Sequence, residues 1–300
     1  MDETRITQTE TRPIDGATYP GLVTLGVASL QRTVEFYLQV IGLTDRPAGP
    51  DEAMLGPLHG EALVRLEPGA QPRARLTQST GLYHMALLYP SRAALGAALL
   101  RLASSTYPIQ GASDHGVSDA IYLADPEGNG IELYADRPKA SWPRRGETLE
   151  MTLKPLDLEA LMDEARAVGM EGRESVSELR MGHVHLHVAH LEPAVEFYRD
   201  GLGLNLIQRY AGQAAFLAAG DYHHHVGINT WAGVGAPQPP AASPGLRHFT
   251  LVLPSHGSLD STLTQLRATG FPLRELDGVH QTQDPSGNRV NLVVSLPRDS

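Results

Sequence analysis

Residues 183–204 read HVHLHVAHLEPAVEFYRDGLGL, and residues 22–43 read LVTLGVASLQRTVEFYLQVIGL. The two runs superpose without a gap. Each opens with apolar residues at every second position (Val23, Leu25, Val27; Val184, Leu186, Val188), the period of a strand with one buried face. Each continues through Val-Glu-Phe-Tyr into Gly-Leu. Val34, Phe36, Tyr37 and Val40, like Val195, Phe197, Tyr198 and Leu202, fall on one face of a helix. Gly42 and Gly203 then stand where helices end in the left-handed conformation. An internal repeat of this length outranks any single motif as evidence of fold.

A second, weaker pair lies between and after these runs. Residues 81–134 begin GLYHMALLYPS and end YLADPEGNGIELY; residues 245–294 begin GLRHFTLVLPS and end TQDPSGNRVNLVV. Helices are predicted over 93–104 and 259–269. The Asp-Pro-x-Gly-Asn segments predict tight turns, because Pro126 and Pro285 preset φ while Gly128 and Gly287 allow it to be positive. The chain therefore reads as four units of βαβββ type, alternating first kind and second kind. An α+β fold of two halves follows. Residues 1–136 hold units one and two, residues 137–180 form a connector, and residues 181–300 hold units three and four. In the connector a helix is predicted over 158–168 with Asp157 as N-cap.

Composition bounds the chemistry. The chain has 300 residues and a formal net charge of −10, which speaks against a general nucleic-acid binder. It has no cysteine, so a Cys-zinc site, an iron–sulfur cluster or a thiol nucleophile is excluded. Any metal must be held by histidine, carboxylate, tyrosine or backbone, and thirteen histidines are available. Residues 1–16 are polar and lack the apolar run of a signal peptide, and no stretch approaches the length of a membrane span. The expectation is a cytoplasmic protein, with no membrane or nucleic-acid partner and with homo-oligomer formation open. There is no Walker or dinucleotide-binding glycine pattern and no Gly-x-Ser-x-Gly elbow.

The repeated frame, with GHVHLHV, GDYHHHVGINTW and SDHGVSDAIYLADPEGNGIELY, resembles the vicinal oxygen chelate superfamily from Gly21 to Val294. The longer runs are similar to the bacterial catechol-2,3-dioxygenase subgroup of two-domain extradiol enzymes. That resemblance implies paired modules forming cupped sheets around a metal chelated by adjacent substrate oxygens. It draws one His from the first strand of a first-kind unit. A second His and a Glu come from the first and last strands of a second-kind unit. Unit one has Leu22 where unit three has His183. Unit two has His84 and Glu132, whereas unit four has His248 but Asn291 in place of the Glu. Only units two and three together complete the set His84, Glu132 and His183. The site is therefore expected across the two halves, with units one and four pairing as a non-catalytic cup. His248, like most strand histidines, reads as structural.

Two histidines and a carboxylate leave open positions on a divalent ion and suit non-haem Fe(II), with Mn(II) also compatible. The resemblance implies His224 as general acid–base residue and Tyr122 as a hydrogen-bonding partner of a substrate oxygen. His223, His224 and His225 are expected on the last strand of unit three. His115, His185, His223 and His225 are candidates for the substrate pocket. The expected reaction is extradiol ring cleavage of a catechol-type aromatic diol by O2, in aromatic catabolism. The alternatives are a glyoxalase-type metal-dependent isomerase or lyase, and a non-catalytic binding or resistance protein of the same fold.

Overall fold

Two curled sheets are built from the four units in a computed structural model, which describes residues 12–71, 78–172 and 176–295. Most of the N-terminal stretch read for a signal peptide, residues 1–11, lies outside the described residues. The first sheet has nine strands in the order Lys154–Pro155, Gly111–Asp114, Ser118–Ala124, Gly130–Asp136, Gly81–Tyr89, Arg180–His187, Val226–Asn229, Ala214–Ala218 and Asn205–Tyr210. Units two and three thus share it, joined where Gly81–Tyr89 runs antiparallel to Arg180–His187. The second sheet has eight strands from units one and four, joined where Tyr19–Gly26 runs antiparallel to Gly245–Leu253. One apolar core takes side chains from both: Val23, Leu25 and Phe249 from the second sheet meet Met85, Val184 and Leu186 from the first. Among the described residues no helix is long and apolar enough to cross a membrane.

The second-kind units carry helices Arg92–Ser105 and His256–Thr269, each N-capped by a serine (Ser91, Ser255) whose hydroxyl accepts a backbone N–H. The connector helix is Leu158–Ala167, and the Asp157 carboxylate accepts the Ala160 N–H. The first-kind units differ from the single helix expected. Leu30–Phe36 and Leu191–Glu196 are α-helical, and each passes into one π-turn, Tyr37–Ile41 and Phe197–Gly201. The added residue per turn is invisible to a 3.6-residue apolar pattern.

These π-turns start at the repeated Phe-Tyr, and the tyrosines tie each first-kind unit to the second-kind unit that follows it. Tyr37 donates to the buried Asp125 at 3.2 Å, and Tyr198 donates to the buried Asp284 at 3.1 Å. Each aspartate opens an Asp-Pro-x-Gly-Asn turn and accepts two backbone N–H groups and the asparagine amide within it. Burial raises both aspartates' pKa values, and only this set of donors offsets the cost of a carboxylate there. Tyr37→Phe or Tyr198→Phe should each lower unfolding free energy by ~1.5–3 kcal/mol, the worth of a hydrogen bond to a charged group. Urea denaturation measures this, and an unchanged midpoint in both variants would show the bonds to be dispensable.

Candidate active site

One row of side chains crosses four strands of the nine-stranded sheet. Register pairs Tyr122 with Glu132, Glu132 with Ala86, and Ala86 with His183. His84, two residues before Ala86, projects from the same face. The methyl group of Ala86 leaves the gap between its neighbours open, and into that gap the three polar groups converge. His84 Nε2 lies 3.0 Å from Glu132 Oε2, His183 Nε2 lies 3.1 Å from the same oxygen, and the two nitrogens are 3.3 Å apart. All three residues are buried.

These separations suit an ion. Two donors each ~2.1 Å from a metal and 90° apart stand ~3.0 Å from one another, against ~3.4 Å at the tetrahedral angle. Three donors at 3.0–3.3 Å therefore span close to one face of an octahedron. The charge state also fits. Burial alone would raise the Glu132 carboxyl, but the charge and hydrogen bonds of His183 and His84 hold it well below the usual range. Burial pushes His183 down to about 4 against the pull of Glu132. A carboxylate beside an unprotonated imidazole is what a cation requires. Among the described residues this is the one cluster of three such groups that could hold a metal ion.

Local departures from regularity aim these side chains. A register shift between His185 and Leu186 leaves Tyr83 bulged, so Tyr83 and His84 both line the cavity while Leu82 enters the core. A second shift, at Gly182, lies beside the Tyr134 ring; a Cβ there would meet the Tyr134 hydroxyl at 1.8 Å. At Gly227 a Cβ would come within 2.8 Å of the His185 ring. Period-two reading does not reveal either bulge.

The cluster forms the floor of a cavity of about 340 Å³, in the size range of small-molecule sites. Phe216, Trp231, Tyr83 and Val117 form much of its wall. Met151, Thr152 and Leu153 of the connector complete it, residues to which sequence reading assigned nothing. Tyr122 stands beside Glu132, and its hydroxyl is 2.6 Å from His115 Nε2. His115 Nδ1 is 3.0 Å from the Thr152 carbonyl, which only accepts, and so in the neutral ring Nδ1 carries the hydrogen. Nε2 then accepts from Tyr122, which leaves the tyrosine oxygen's lone pairs as acceptors. Burial and the Glu132 charge raise the Tyr122 pKa well above its usual value, so the phenol keeps its proton.

The three consecutive histidines depart from the expected strand. They lie in a bend, and the strand begins at Val226. His224 lines the cavity with its ring centroid 4.0 Å from that of His183. His223 and His225 do not line it. His223 is held by Asp136, at 3.0 Å, and His225 Nδ1 accepts the Ala219 N–H at 3.1 Å. His115 and His185 do line the cavity, and His185 is buried with its Nε2 unpartnered among the described residues. His248 is remote, on the eight-stranded sheet, 3.1 Å from the Thr24 hydroxyl.

The chain belongs to the glyoxalase/bleomycin resistance protein/dioxygenase superfamily, whose family profile matches residues 20–133 and 180–292. Over 282 residues it is 40% identical to a catechol-2,3-dioxygenase of Bacillus subtilis (strain 168), covering 92% of this chain and 98% of that protein. A biphenyl-2,3-diol 1,2-dioxygenase of Rhodococcus globerulus is 30% identical over 120 residues, 38% of this chain and 63% of that protein. Among solved structures, glyoxalase I from Zea mays superposes with a TM-score of 0.54 at 16% identity, over 93% of this chain and 92% of that one. The last likeness concerns fold alone. By its sequence relationship the chain is an oxidoreductase of the extradiol dioxygenase type.

Proposed function

We propose that this protein is a non-haem Fe(II)-dependent extradiol dioxygenase that cleaves the ring of a catechol-type vicinal diol with O2. The observation that carries the reading is the buried triad His84, Glu132 and His183, three donors 3.0–3.3 Å apart at the floor of an aromatic-walled cavity. Iron(II) held there would supply a Lewis acid with open positions for both diol oxygens and for dioxygen. Phe216, Trp231 and Tyr83 offer apolar surface to an aromatic ring. Tyr122, its own proton engaged by His115, accepts a hydrogen bond from a diol hydroxyl. His224, which lines the same cavity against the His183 ring, is the acid–base residue that takes and returns the proton.

The test is anaerobic reconstitution with Fe(II), followed by catechol and air. The expected result is a yellow ring-opened product with one O2 consumed per diol. Turnover of an α-keto hemithioacetal without oxygen uptake would instead mark an isomerase, and tight catechol binding without turnover a binding protein. Parallel loading with Mn(II) separates the two metals.

A further inference from the structure

Behind His224 runs a chain of hydrogen bonds that leads away from the cavity. His223 Nδ1 is 2.8 Å from His224 Nδ1, and His223 Nε2 is 3.0 Å from Asp136 Oδ1. The other Asp136 oxygen accepts the Tyr222 hydroxyl at 2.9 Å. His223 is 1% exposed and packs against the rings of Tyr222 and Trp142, so its orientation is locked.

The proton pattern along this chain follows from donor chemistry. A carboxylate only accepts, so His223 Nε2 carries the hydrogen it shares with Asp136. Neutral His223 then has a bare Nδ1, which can only accept. With His223 in that neutral form, the hydrogen in the 2.8 Å bond sits on His224 Nδ1. That leaves His224 Nε2 without a proton and ready to take one.

We propose that Asp136 and His223 are positioning residues that set the tautomer of His224 and so keep its Nε2 as the proton acceptor for the diol. The inference rests on His224 acting as acid–base residue in the proposed reaction. Neither residue touches the substrate, and both act through His224. Asp136→Asn is the informative change. With the amide oxygen held by the Tyr222 hydroxyl, the NH2 group faces His223 Nε2 and the pattern inverts, turning His224 Nε2 into a donor.

The experiment uses Fe(II)-reconstituted full-length enzyme with catechol and O2. Asp136→Asn should lower kcat by about 10²-fold while KM and iron content stay within about twofold. Asp136→Glu, which restores an acceptor, should recover kcat to within about tenfold of the wild type. His223→Phe, which keeps the ring packing, should match Asp136→Asn. In a His224→Asn background Asp136→Asn should cost nothing further, because there is no longer an imidazole to orient. Wild-type kcat in Asp136→Asn beside a slowed His224→Asn would overturn this inference and leave the acid–base reading intact. An undiminished His224→Asn enzyme would remove both. Loss of iron in Asp136→Asn, or an equal further loss in the His224→Asn background, would show a merely structural role and overturn the inference.

Discussion

Glu132→Gln should strip the protein of its metal and, with it, of turnover. The carboxylate is the only negative charge among the three donors, and one of its oxygens touches both histidines, at 3.0 and 3.1 Å. Glutamine preserves the volume but replaces the anion with a weak neutral donor, in a position where solvent cannot compensate. Losing an outer hydrogen-bond partner of a ligand costs ~10–100-fold in metal affinity; losing the charged ligand itself should exceed that, with activity falling by more than ~10²-fold. Metal content after dialysis, measured beside oxygen uptake, checks both. Full metal occupancy in the variant would move the centre elsewhere. His248→Ala is the matching control and should retain its metal, since that ring bonds Thr24 in the other sheet. Acid should act like the Gln substitution. As pH falls through about 4, where the metal-free His183 ring gains its proton, protons compete with the ion and metal affinity should drop.

His224→Asn should separate binding from chemistry. The residue lies against the His183 ring at 4.0 Å and against Phe216 at 5.0 Å, and bonds no atom of Glu132 or His84. Its removal should leave metal content and anaerobic catechol binding nearly unchanged. Burial, with the neighbouring histidines His183 and His223, lowers its pKa well below the usual 6.5, so at neutral pH the ring is an unprotonated base. Replacing a general acid–base group typically slows turnover by ~10²–10⁴-fold. The predicted signature is therefore a kcat loss in that range with KM little moved, read from oxygen consumption across catechol concentrations. Turnover at the wild-type rate would remove His224 from the proposed reaction.

The candidate ligands could be named from sequence because the repeated frame and the family resemblance together pick out their positions. His84 and His183 lie in the first strands of their units, Glu132 follows an Asp-Pro-x-Gly-Asn turn, and with Leu22 in unit one and Asn291 in unit four the ligand set that the resemblance implies is complete only in units two and three. Tyr122 and His224 were named by the family resemblance alone. What escaped the reading has a common cause. The bulged Tyr83 and the π-turns each insert a single residue, and the bend at His223–His225 delays the strand to Val226; periodicity averages over such steps. Asp136 and Thr152 escaped because they meet their partners only through space. Asp136 bonds a residue 87 positions away, and Thr152 one 37 positions away.

Sequence by itself determined the kinds of unit, their order and the chemistry on offer. Alternation, turn residues and caps are local, and residues close in the chain decide them. The lack of cysteine restricted any metal site to histidine, oxygen and backbone ligands. Tertiary structure alone decided how these parts face one another. It pairs Gly81–Tyr89 with Arg180–His187, aligns Tyr122, Glu132, Ala86 and His183 in one row, and folds the connector over the cavity. It also determines which of three adjacent histidines faces the site. Strand pairing and register are properties of the whole core, where shifting one residue reverses every side chain. No local stretch contains that information.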